Sequence, residues 1–171
     1  MTPSPSNARR PIAPPPALLD PIRRDPSDET AWLAFAAWLN STYSPSAAAQ
    51  ELNRIVATVR NPAPLLEAIS RMLGATPSAP LRITALNRLA QLQPNNARVL
   101  ADLGRALLDT AAASAARKPL RAALANGATA PDLKLALASL EAASGEIARA
   151  DGLYREVLAA EPADAVAWCG L

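Results

Sequence analysis

The 171-residue chain contains no histidine. That absence excludes His-ligated metal sites, Ser-His and Cys-His nucleophile pairs, and imidazole general bases at once. Cysteine occurs once, at Cys169, so no internal disulfide framework can form. The residue reads as a small apolar side chain to be buried rather than a reactive or metal-binding thiol. Glycine is scarce and scattered, at 74, 104, 127, 145, 152 and 170, so no phosphate-cradling glycine-rich loop is present. Lysine is limited to Lys118 and Lys134, and the basic side is otherwise carried by arginine, for a net charge of only +2. Charges of both signs are scattered, without the basic stripe interleaved with aromatics that nucleic-acid binding requires. No apolar run approaches the roughly 20 residues of a membrane-spanning helix. Arg9 and Arg10 are not followed by the apolar core of an export signal, so a soluble, unexported, cytoplasmic protein is expected. Aromatics make up 4% of residues, and the Val- and Ile-rich runs of a parallel sheet are missing.

Alanine is abundant, and alanine favours helix. Its excess, with arginine in place of lysine, suggests a GC-rich bacterial genome. A register of about 34 residues, a spacing known from helical repeat proteins, organises the chain. Trp32 and Trp168 are four periods apart, and units run over 29–62, 63–96, 97–130 and 131–164, with a partial unit at 165–171. The fourth column holds Trp32, Leu66, Leu100, Lys134 and Trp168; the seventh holds Phe35, Ile69, Leu103, Leu137 and Leu171. The eleventh reads Leu39, Leu73, Leu107 and Glu141. Those places share one face of a helix. Later columns, such as Leu52, Leu86, Leu120 and Tyr154, form a second stripe, with turn-favouring residues between the stripes. Each unit is predicted to be helix, turn, helix. Pro62 and Pro131 suit a first helical turn, while Pro119 inside the second helix of the third unit predicts irregular geometry there.

Leu103, Gly104, Ala116, Leu120 and Ala123, then Leu137, Gly145, Ala150, Tyr154 and Pro162, make the chain resemble the tetratricopeptide repeat family over residues 29–171. The first two units are degenerate, with Ala36 and Ser70 in the column of Gly104 and Arg82 in a small-residue column. Residues 18–39 also resemble a bacterial repeat-companion domain. The resemblance implies an all-α fold of antiparallel helix-turn-helix repeats stacked as a right-handed α-solenoid. Before it, residues 1–16 are expected to be a disordered proline-rich arm, and 17–28 a short capping helix and linker, interrupted or kinked at Pro21.

The family binds partners through a concave groove lined by its first helices. Its binding columns hold Glu67, Arg71, Arg98, Asp102, Arg105 and Asp109 in the middle of this chain, with apolar residues such as Leu33 and Leu135 toward either end. Arginines there would pair with acidic groups of a partner; the competing reading is a solvated polar face of arginines bridging Glu67, Asp102 and Asp109, worth little. The Lys and Asn of the carboxylate-clamp members are missing, so chaperone-tail binding is not implied. The last partial unit leaves Tyr154, Val157, Leu158, Trp168 and Leu171 as a possible second interface, for a partner or another copy of the chain. The implied function is a non-enzymatic scaffold or adaptor that binds a protein or peptide, with no catalytic residues, cofactor or metal. The alternatives are the targeting region of a larger bacterial glycosyltransferase or sulfotransferase, and a secretion chaperone of the tetratricopeptide type.

Overall fold

The computed structural model describes residues 14–25, 28–73, 79–110 and 113–171, and all the regular structure in them is helical. The proline-rich arm expected at the start, and most of the turn expected at 74–80, lie outside the described residues. The helices are α1 (Pro16–Arg24), α2 (Glu29–Thr42), α3 (Pro45–Val56), α4 (Ala63–Met72), α5 (Ala79–Leu92) and α6 (Ala97–Leu108). A 3₁₀ turn at Ala113–Ala116 leads into α7 (Arg117–Ala125), followed by α8 (Pro131–Ala143), α9 (Ile147–Ala160) and α10 (Ala165–Gly170). α1 runs on with Pro21 inside it. None of these helices is long and apolar enough to cross a membrane.

The period is written into the helix starts. Asp28, Asn96 and Asp164 stand at the same place of alternate units, and each caps the helix that follows. Asp28 accepts from the Thr30 and Ala31 amides at 2.9 and 3.2 Å, Asn96 from those of Arg98 and Val99 at 3.1 and 3.3 Å, and Asp164 from that of Ala167 at 2.7 Å. These caps satisfy amides that no helical carbonyl can reach. Helix ends are marked as clearly. Gly127 and Gly145 take positive φ, 94° and 83°, and close α7 and α8 with paired bonds. Ala128 N–H reaches Ala123 O at 2.9 Å and Gly127 N–H reaches Leu124 O at 3.1 Å, an arrangement repeated by Glu146 and Gly145 after α8.

The elements stack as a solenoid: α2 lies against α4, α3 against α5, and each helix also packs on the next in the chain from α4 to α10. Most of the predicted columns point inward: Trp32, Phe35, Leu39, Leu66, Ile69, Leu73, Leu100, Leu103 and Leu137 are buried and Leu107 is half-buried, whereas Trp168 and Leu171 of the partial unit are exposed. The core is accordingly a series of adjoining clusters, each closed by neighbouring units. In the first unit Trp32, Phe35, Trp38 and Tyr43 form a chain of ring contacts at 6.3, 5.6 and 5.9 Å between centroids. Gly104 sits where α6 meets α7, and a Cβ there would overlap the Leu120 side chain.

Two columns break the apolar rule, and each departure has a partner. Lys134 is half-buried, and its Nζ donates to Glu156 Oε2 on α9 at 2.7 Å. Glu141 is 1% exposed, and Arg121 on α7 donates to its Oε1 through Nε at 3.1 Å. Pro119 likewise finds a compatible place: it falls in the first turn of α7, after the 3₁₀ segment, where its missing N–H leaves no gap in the helix. Glu51, also buried, takes hydrogen bonds from Arg54 at 3.0 and 3.1 Å, and these bonds raise the Arg54 pKa above its ordinary value.

Candidate functional site

α4 and α6 stand one period apart, as successive first helices, and α5 lies beneath them. Between them opens a cleft of about 440 Å³. α4 contributes Glu67, Ser70 and Arg71; α6 contributes Arg98, Val99 and Asp102. Leu86 and Leu89 of α5 form an apolar floor, and Asn96, the cap of α6, stands at the rim. Four of the six residues predicted for a groove therefore converge: Glu67, Arg71, Arg98 and Asp102. They meet because α4 and α6 repeat the same face at the same level of adjacent units.

The other two are placed differently. Arg105 turns toward α8, where it meets Asp132 at 2.9 Å, and it also lies 3.5 Å from Asp102 on its own helix. Asp109 is exposed at the C-terminal cap of α6, beyond the cleft. Within the cleft Glu67 accepts from Gln93 Nε2 at 3.4 Å, which draws the α5–α6 turn toward α4. Arg98 is exposed and makes no side-chain ion pair among the described residues. The column reading passed over Ser70 and Asn96. Ser70 occupies a column where only small size is demanded, and Asn96 precedes its helix, so neither carried a binding signal in the sequence.

The second candidate surface divides in two. Tyr154 and Val157 are buried against Ala138, Ala150 and Ala167, and Leu158 is half-buried beside them. α10 is what covers them: Ala167 faces inward, and Gly170 lies so close over the Tyr154 ring that a Cβ would overlap it. Trp168 and Leu171 remain exposed, at 60% and 51%, together with Val166. Trp168 is held by its indole N–H, which donates to Pro162 O at 2.9 Å. Cys169 is exposed rather than buried as expected, because the short α10 turns Ala167 inward and the thiol outward.

No family model matches the sequence, and no curated protein matches it closely. Solved structures do match. A crystal structure of MamA superposes with a TM-score of 0.56 at 15% identity, covering 85% of each chain. Another, MamA AMB-1, gives 0.58 at 17% identity over 89% of this chain and 83% of that one. A tetratricopeptide repeat protein from Parabacteroides merdae gives 0.52 at 13% identity, over 90% of this chain and 61% of its own. The fold is that of a tetratricopeptide-like repeat protein. At such identities the likeness is one of backbone architecture. The helical-repeat solenoid expected from the 34-residue register is the architecture observed.

Proposed function

We propose that the chain is a non-enzymatic scaffold that captures an extended segment of a partner protein in the cleft between α4 and α6. The observation that supports this reading is the convergence of Arg71 and Arg98 with Glu67 and Asp102 over the apolar floor of Leu86 and Leu89. An apolar floor rewards a side chain that leaves water, and charged walls of both signs fix its register and orientation. Arg98, exposed and without an acidic neighbour in ion-pair range among the described residues, is suited to a carboxylate of the partner. Arg105 takes a different role, tying α6 to α8 through Asp132.

Affinity capture followed by mass spectrometry identifies the partner, and charge reversal then locates its binding. Arg71→Glu with Arg98→Glu is expected to weaken capture at least roughly tenfold, with the helical circular dichroism unchanged. Full capture by that folded variant would reject the cleft as the binding site. Arg105→Glu serves as a contrast: its expected effect is on stability, through the lost contact to Asp132, and not on capture.

A further inference from the structure

The second helices carry a separate feature. α3 packs along α5, but α5 and α7 do not lie along one another in the same way, and a cavity of about 520 Å³ opens between them. Its cause is local. A proline ring clashes with the carbonyl four residues earlier, so a regular helix cannot run through Ala115 into Pro119. The second helix of the third unit therefore opens as the 3₁₀ turn Ala113–Ala116, which packs on α6, and continues without a break as α7 from Arg117. Leu100, Leu103 and Leu107 of α6 line the floor of this slot, the first two buried and Leu107 half-buried. Pro119 and Ala122 form one wall and Ala90 the other.

The borders of this slot differ in charge. On the α5 side the rim is neutral, with Asn87 and Gln91. On the α7 side Lys118 and Ala122 are shared with an adjoining shallow hollow, which Arg117 and Arg121 also line. No carboxylate lines either the slot or the hollow. Arg121 is engaged with Glu141, whereas Arg117 and Lys118 make no ion pair among the described residues. Nor does any aromatic ring line the slot, so it offers no platform on which a base would stack.

We infer that the slot between α5 and α7 is a second docking site, for an acidic segment of a protein partner. One bulky apolar side chain of that segment seats over Leu103 and Leu107 against Pro119, and flanking carboxylates meet Arg117 and Lys118. Each part of the occupant answers a feature of the surface: an apolar anchor covers the exposed part of Leu107, and carboxylates pair with Arg117 and Lys118, which make no ion pair among the described residues. The surface belongs to the second helices and is independent of the cleft between α4 and α6.

A random-peptide phage library panned on the full chain tests this directly. Enriched peptides are expected to carry Asp or Glu beside a single Leu, Ile, Phe or Trp. The synthesised peptides are expected to bind at least about tenfold more weakly to Ala115→Trp, which places an indole over the slot from an exposed position, and to Arg117→Glu with Lys118→Glu. Gln91→Trp, exposed on the opposite rim, repeats the block from α5. Arg71→Glu with Arg98→Glu should leave this binding unchanged, which separates it from the cleft. Enrichment without an acidic and apolar pattern, binding lost only in the cleft variant, or binding that survives both indole blocks would overturn the inference. So would preferential capture of random single-stranded RNA abolished by the Arg117 and Lys118 reversal.

Discussion

Glu141 occupies a column that is apolar in the other three units, and it is buried. A carboxylate in such a place is tolerated only with compensation, which Arg121 supplies from the preceding second helix. The pair spans the junction between the third and fourth units, so it also fixes how they dock. Arg121→Ala strands the carboxylate, and is expected to lower unfolding free energy by about 2 kcal/mol, read from urea denaturation. Glu141→Leu restores the apolar column and releases the half-exposed Arg121 side chain to water; its stability is expected to equal or exceed the parent's. A loss from Glu141→Leu as large as that from Arg121→Ala would mean that the ion pair itself, not the burial of an unpaired charge, stabilises the junction.

At the scale of the element, helix boundaries follow from a few residues whose chemistry leaves little choice. Asp28, Asn96 and Asp164 start helices, and Gly127 and Gly145 stop them by entering a backbone region that costs other residues energy. Nothing lies within 4 Å of a Cβ built on Gly127, so Gly127→Ala isolates that conformational cost from any clash. The expected loss is about 1 kcal/mol with the midpoint shifted and the denaturant slope unchanged. α7 shows how one residue reshapes an element: Pro119 stands in its first turn behind a 3₁₀ segment, and it lines the slot against α5. Irregularity near Pro119 is legible from the sequence. The slot is not, because its size depends on how far α5 stands from α7.

At the scale of the molecule, each unit contacts its neighbours and little beyond, so local changes remain local and the binding surfaces can be tested separately. Charge reversal at Arg71 and Arg98 reads the cleft, and blocking at Ala115 reads the slot. Trp168 reads the last helix. Its ring is exposed and pinned to Pro162 O, and Val166 and Leu171 are exposed on the same short segment. If that apolar face joins two copies or holds a partner, Trp168→Asp is expected to shift the sedimentation coefficient toward the smaller species or weaken the complex. Unchanged sedimentation and unchanged capture would remove this face from consideration. Tyr154 and Val157 do not share in it, because α10 covers them.

The sequence by itself determined the helical class, the period and the inward face of most helices from α2 to α9, since all three follow from spacing along the chain and the need to bury apolar side chains. It also assigned Gly104 its place, because close approach of two helices demands a missing Cβ. What it could not determine was direction. Glu67, Arg71, Arg98 and Asp102 converge while Arg105 turns to Asp132 and Asp109 caps its helix, although all six occupy equivalent kinds of column. A long flexible side chain goes to whichever opposite charge the neighbouring unit presents, and that choice exists only once the units are stacked. The same holds for Cys169, whose exposure depends on which side of a six-residue helix meets α9.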